Sequence, residues 1–160
     1  MSLLLNTFDS GYKEICEKLM EEHFPFAPGR LVFTNGCFDV LHPGHVWTLR
    51  YAREVAGPHG VVVVGLNSDA SVKRLKGDAR PVFDERSRAT MLMSLRFVDN
   101  VIVFDEDTPA ELLSELKPDV IVKGGDYKKE DVVGGDKCLV LIAKKIEGWS
   151  TTGVIERMKR

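Results

Sequence analysis

Between Leu31 and Ala56 an apolar run gives way to a helix-period pattern through a turn that carries two histidines, His42 and His45. This strand-turn-helix constrains the fold more than any other segment. Leu31-Val32-Phe33 has the character of a buried strand, Asn35-Gly36 is the point where the backbone is expected to turn, and Val46, Leu49, Ala52 and Ala56 mark the core face of a helix. Pro43 and Gly44 stand where that helix begins. Its unpaired N–H groups and positive dipole end then face His42 and His45, so that ring and backbone donors converge on one anion and phosphate is the natural ligand. Two blander readings fit the same residues: a pair of surface histidines, or a metal site built from Cys37, Asp39, His42 and His45. The metal reading suffers from crowded spacing that matches no common zinc pattern.

Further along, short apolar runs alternate with helical stretches. A strand at Val61–Val64, a helix within Asp84–Leu95 and a strand at Val101–Val103 precede Thr108-Pro109-Ala110-Glu111, a capping-box pattern that opens a helix ending near Leu116. Strands at Val120–Val122 and Leu139–Ile142 follow, and a helix from about Thr152 closes the chain. Runs this short and this apolar imply parallel strands buried on both faces. The expected fold is therefore α/β, a Rossmann-like doubly wound sheet of five parallel strands spanning residues 30–160, with ligands outside the carboxyl ends of the strands. Residues 1–29 stand apart. Phe8, Tyr12, Ile15, Cys16, Leu19 and Met20 share one face of an amphipathic helix that ends before Pro25, and Pro25–Gly29 is a connector. That helix needs a partner, either the sheet domain or a second subunit.

Composition narrows the function classes. The length of 160 residues suits one core, and a net charge of −2 gives no support for nucleic acid as the main partner. No apolar segment approaches a membrane span, and Met1–Asn6 lacks the features of a secretory signal. Cys16, Cys37 and Cys138 have neither metal nor redox spacing, so reduced thiols in a cytoplasmic protein are expected.

The run Thr34-Asn35-Gly36-Cys37-Phe38-Asp39-Val40-Leu41-His42-Pro43-Gly44-His45 resembles the signature of the nucleotidyltransferase superfamily that includes the cytidylyltransferases. The likeness continues through residues 67–81, then Val122-Lys123-Gly124-Gly125-Asp126-Tyr127, then Glu147-Gly148-Trp149-Ser150-Thr151-Thr152. Within the superfamily the chain is most similar to the adenylyltransferase domain of the ADP-heptose synthases, and glycerol-3-phosphate cytidylyltransferase is the more distant likeness. In many members the transferase domain follows a sugar-kinase domain, and these residues carry only the transferase part.

The resemblance implies transfer of a nucleoside monophosphate from ATP, or alternatively CTP, to a phosphorylated sugar or polyol. Pyrophosphate leaves, Mg²⁺ arrives on the triphosphate, and a homodimer is usual. It makes His42 and His45 donors to the triphosphate, and Lys76, expected on a Gly-flanked loop with Lys73 and Arg74, the cation over the α- and β-phosphates. Thr34, Asn35, Gly36, Cys37, Phe38, Asp39 and Gly44 surround the nucleotide, with Asp39 orienting the signature loop or a metal-bound water. Lys123, Gly124, Gly125, Asp126 and Tyr127 lie beside it, Arg86 near its phosphates, and Ser150, Thr151 and Thr152 at the positive end of the last helix. For Lys73, Arg74 and Lys76 the bland role is a solvated basic turn; for Arg86 and Arg88 it is a charged helix face. Asn67, Asp69 and Trp47 are the candidates for the acceptor, and Trp149 is a second candidate wall. Where the cytidylyltransferases carry an arginine, this chain has Lys145, which favours ATP. A nucleotide-binding regulatory protein without turnover is the alternative from another class.

Overall fold

A computed structural model describes residues 11–23 and 29–160. Phe8 and residues 25–28 of the expected helix and connector lie outside the described residues. The elements run α1 (Tyr12–His23), β1 (Leu31–Gly36), α2 (Pro43–Ala56), β2 (Val61–Asn67), α3 (Asp69–Lys76), α4 (Glu85–Met93), β3 (Asn100–Phe104), α5 (Ala110–Leu116), β4 (Val120–Lys123), β5 (Leu139–Ile142) and α6 (Thr151–Met158). The five strands form one parallel sheet in the order β3-β2-β1-β4-β5, with Phe33 opposite Val63 on one side and Ile121 on the other. The chain winds outward in both directions from β1 and β4. The crevice between the carboxyl ends of those two strands is thus the topological switch point, where ligands of such sheets bind.

Both faces of the sheet are covered, which is why β2 is buried along its whole length. On one face Phe33, Val63, Ile102 and Ile121 pack with Leu112 and Leu116 of α5 and with Ile15, Cys16 and Leu19 of α1. The amphipathic α1 therefore docks on its own sheet, and Tyr12 Oη adds hydrogen bonds to Glu106 (3.0 Å) and Glu111 (3.2 Å). On the other face Val32, Val62, Val120 and Val122 pack with Ala52 and Ala56 of α2, while Leu66 and Val101 pack with Leu92 of α4.

Three local expectations are corrected. β1 continues through Asn35 and Gly36, paired with Gly65 and Leu66, and the chain turns later, with positive φ at Phe38 (45°) and Val40 (55°). A β-branched residue in the left-handed region is strained and persists only where its surroundings hold it. Residues 69–76 are a helix and not a loop: Ser68 caps it by accepting from the Ser71 amide, and Lys76 is its last residue. Thr108–Glu111 forms no capping box; Pro109 occupies the cap position of α5 with no side-chain hydrogen bond.

Candidate active site

A cleft of about 580 Å³ opens at the switch point. Its first wall is the turn between β1 and α2. His42 is the N-cap of α2, and its Nδ1 accepts from the Gly44 amide at 3.1 Å, so the neutral ring carries its proton on Nε2 as a donor. A Cβ on Gly44 would lie 3.0 Å from His42 Cε1, tight enough that the ring would have to give by a few tenths of an ångström. His45 stacks on His42 with centroids 3.8 Å apart, and its own Nδ1 is buried without a hydrogen-bond partner. Burial, and then the adjacent His42, push His45 down to about 3 from its ordinary value, and burial followed by the positive Arg157 lowers His42. Both rings are neutral hydrogen-bonding groups at physiological pH.

The second wall is the start of α6. Ser150 caps the helix by accepting from the Gly153 amide at 3.1 Å, and Thr151 Oγ1 donates to the Asp39 carbonyl at 3.1 Å. That last bond ties the start of α6 to the turn before α2 across 112 residues of chain. Trp149 flanks His42 with ring centroids 6.4 Å apart, while Arg157 sits over the indole at 4.8 Å.

The strained turn is held from below. The Asp39 side chain is fully buried and accepts from Arg80 Nε (2.6 Å) and from the amides of Val82 (2.8 Å) and Phe83 (3.0 Å). Burial alone would raise its pKa, but those bonds outweigh it and hold the carboxyl below the usual range. The fully buried Arg88 donates to the carbonyls of Cys37 (2.6 Å), Asn67 (2.9 Å) and Phe83 (2.9 Å) and to Asp69 (2.8 Å). One guanidinium thus pins the ends of β1 and β2 and the loop before α4.

On the other side of the switch point Lys123, the last residue of β4, is buried. Its Nζ donates to Asn35 Oδ1 at 2.8 Å and to the Asn35 carbonyl at 3.3 Å, and lies 4.5 Å from the centre of the Tyr127 ring. Burial pulls its pKa down to about 8. Beside it, a Cβ on Gly125 would come within 2.6 Å of the Lys145 backbone nitrogen, so only glycine lets the segment after β5 approach. Lys145 pairs with Asp126 at 2.5 Å.

Of the residues singled out by sequence, Thr34, Asn35, Gly36, Cys37, Phe38, His42, Gly44, His45, Asn67, Lys76, residues 123–127 and residues 150–152 line this one cleft. Asp39 lies beneath it as the anchor of the signature turn. Trp47 packs instead against the α2 face of the core, and Asp69 is the ion-pair partner of Arg88, so neither stands where an acceptor wall was expected. Lys73 and Arg86 are exposed outside the lining, and Arg74 is engaged with Asp107. Sequence reasoning did not assign Arg80, Thr48, Asp107–Pro109, Val132, Val133 or Lys144, all of which line the cleft. Only Arg80 had a signal, its place in the matched 67–81 run. Among the described residues no cluster of three or more His, Cys, Asp or Glu could hold a metal ion, and no helix is long and apolar enough to cross a membrane. The metal site of Cys37, Asp39, His42 and His45 is therefore not formed.

Comparisons with known proteins place the chain in a family. The chain is 56% identical over 153 residues to the bifunctional protein HldE of Campylobacter concisus (strain 13826), an alignment covering 95% of this chain and 32% of that protein. It is 49% identical over 147 residues to the bifunctional protein HldE of Helicobacter pylori (strain Shi470), covering 90% and 30%. The chain thus spans about a third of the length of these curated relatives. Among solved structures it is similar to a lipopolysaccharide core biosynthesis protein from Thermoplasma volcanium, with 29% identity, a TM-score of 0.58, and coverage of 74% of this chain and 97% of that one. Pantothenate synthetase from Thermus thermophilus, at 16% identity and a TM-score of 0.61, shares the fold over 90% of this chain and 68% of its own. The cytidylyltransferase-like family model matches residues 33–157, which contain every side chain of the cleft, and the chain belongs to the cytidylyltransferase-like family.

Proposed function

We propose that this protein transfers AMP from ATP to a heptose 1-phosphate, giving ADP-heptose and pyrophosphate. The observation that carries the reading is the convergence of the neutral imidazole pair and the start of α6 on one cleft at the switch point, locked together by the Thr151–Asp39 bond. The likeness to HldE over nearly the whole chain, and the lipopolysaccharide core biosynthesis named for the Thermoplasma protein, support the sugar phosphate as acceptor.

In this reaction an oxygen of the acceptor phosphate attacks the α-phosphorus in line, the bond from that phosphorus to the bridging oxygen breaks, and pyrophosphate departs. The acceptor oxygen is already ionised, so no general base is required. What the protein must supply is alignment and donors aimed at the charge that develops on the leaving group. The His42 Nε2–H, the His45 ring and the first turn of α6 supply those donors, and Lys76 supplies an exposed cation at the rim. Mg²⁺ accompanies the triphosphate and neutralises part of its charge. Ser150 keeps its hydroxyl on the helix cap, which leaves the Thr152 hydroxyl and the free amides of α6 for phosphate oxygens. The free thiols and the need for ATP support a cytoplasmic setting for the reaction. A homodimer rests on the family resemblance alone: Ile15, Cys16 and Leu19 of α1 are buried against its own sheet, while Met20 of the expected apolar face is exposed.

The test is release of pyrophosphate across the four nucleoside triphosphates and a panel of sugar and polyol phosphates. Turnover with ATP and a heptose 1-phosphate is the expected result. Turnover confined to CTP and glycerol 3-phosphate would replace this reading with the cytidylyltransferase one, and binding of nucleotide with no turnover would leave a regulatory protein.

A further inference from the structure

The cations that line the cleft are not equivalent. Arg80 is neutralised by the buried Asp39, and Lys145 by Asp126. Lys76 and Lys144 stand exposed at the rim, where water solvates them. Lys123 differs from all of these: it is buried at the floor, and among the described residues no carboxylate is paired with it. Two of its three N–H donors are spent on the neutral oxygens of Asn35, and the face of Tyr127 offers only a ring quadrupole. A buried ammonium without a counter-ion is costly to keep, which makes it a place prepared for an incoming anion.

Its position says which anion. Lys123 ends β4 and reaches across to the end of β1, so its charge lies at the switch point itself, on the floor of the cleft. The triphosphate already has its donors in the imidazole pair and the start of α6. In an in-line displacement the attacking and leaving groups lie on opposite sides of the phosphorus, so groups that receive pyrophosphate cannot also hold the attacking phosphate. The acceptor needs a cation of its own. On the basis of the proposed adenylyltransferase reading, we infer that the Lys123 ammonium, fixed by Asn35, anchors the phosphomonoester of the acceptor and not the nucleotide. This moves Lys123 out of the nucleotide-binding set in which its sequence motif places it.

Lys123→Met tests the inference: it removes the charge at similar side-chain length, and because it also leaves the Asn35 oxygens without their donor, its melting temperature is measured beside the binding to show that the variant is folded. Binding of a non-hydrolysable ATP analogue, and of heptose 1-phosphate in the presence of that analogue, is measured by calorimetry. Glycerol 3-phosphate serves as a second phosphomonoester. Affinity for the sugar phosphate is expected to fall about ten- to a hundredfold, the loss of one charge-assisted hydrogen bond, with the analogue bound within about twofold of wild type. Lys123→Gln should show the same split. An equal loss for both ligands, unchanged affinity for the sugar phosphate, or wild type that binds the analogue and neither phosphomonoester would overturn the inference. Pyrophosphate release by wild type is read separately: its absence overturns the adenylyltransferase reading, while the binding arms still decide the role of Lys123.

Discussion

The imidazole rings of His42 and His45 lie nearly parallel, with centroids 3.8 Å apart and planes 20° from one another. Two stacked rings at that distance cannot both carry charge without mutual repulsion, and burial has already removed the proton from each. In the proposed reaction they are a pair of preorganised neutral hydrogen-bonding groups, and the cationic work is assigned to the lysines around them.

His42→Asn separates the two jobs of that residue. Asparagine is a good N-cap and can still accept from the Gly44 amide, but it cannot place a donor where Nε2–H stands. The turnover number is expected to fall by about 10²- to 10³-fold with little change in melting temperature. His42→Ala should lose as much activity and about 1 kcal/mol of stability besides, through the missing cap. His45→Ala should match the loss in turnover. Near-normal steady-state rates in both alanine variants would remove the imidazoles from the mechanism.

The pH dependence of stability follows from His45. Its ordinary value is 6.5 and its folded value about 3, so below pH 6.5 the unfolded chain takes up a proton that the folded chain refuses. The contribution is whole above pH 6.5 and is lost as the pH falls from there toward 3, by about 1 to 2 kcal/mol at pH 5. His42, lowered for the same first reason, adds in the same direction. In His45→Gln the urea midpoint should therefore fall less steeply between about pH 7 and 5 than in wild type. Identical slopes would mean that the ring titrates normally in the folded protein.

Arg88 carries more of the architecture than its position on a helix suggests. Its removal leaves the carbonyls of Cys37, Asn67 and Phe83 and the carboxylate of Asp69 without their donor. Arg88→Ala should cost about 3 to 5 kcal/mol by denaturant unfolding, the range for breaking a buried charged network. Arg88→Lys should recover less than half of that, because an ammonium cannot present the guanidinium's fork of donors to partners on three segments. A cost below about 1 kcal/mol for the alanine variant would show that water replaces the guanidinium at little expense.

How much of this was legible in the sequence depended on whether the signal was local. The strands announced themselves because Val61–Val64 and Val120–Val122 are unbroken apolar runs, and α2 did so because Leu49, Ala52 and Ala56 fall on one face. Helix α3 did not, since Ser71 and Val72 are its only buried residues and the basic side chains around them have the look of a solvated loop. The turn was misplaced by a few residues because Phe38 and Val40 adopt a conformation those residue types avoid. What forces it is the Asp39 clamp on Arg80, 41 residues away. Arg88 was hidden for a similar reason. Nothing adjacent in sequence says that carbonyls from the ends of two strands will meet its guanidinium, and an arginine on a helix is usually exposed.

Nucleotide choice is decided by the shape and edges of the base site. Adenine is a larger, bicyclic ring and presents a different pattern of donors and acceptors from cytosine. The family resemblance puts the base beside residues 124–127, where Gly125 is pressed against the Lys145 backbone and Asp126 makes an exposed ion pair with Lys145. A site that hydrogen-bonds one base edge leaves groups unpaired when offered the other, at about 1 to 3 kcal/mol for each group so desolvated. One loss of that size is worth roughly tenfold or more in rate, so the specificity constant for ATP is expected to exceed that for CTP by at least about tenfold. Lys145 strengthens the expectation: it stands where the cytidylyltransferases carry an arginine, and an ammonium already paired with Asp126 lacks the bidentate fork that a guanidinium would bring. The measurement is a competition with equal ATP and CTP at saturating acceptor, with the two nucleotide sugars separated and counted. A preference for CTP would overturn the heptose adenylyltransferase reading and point to a small phosphorylated alcohol as the acceptor.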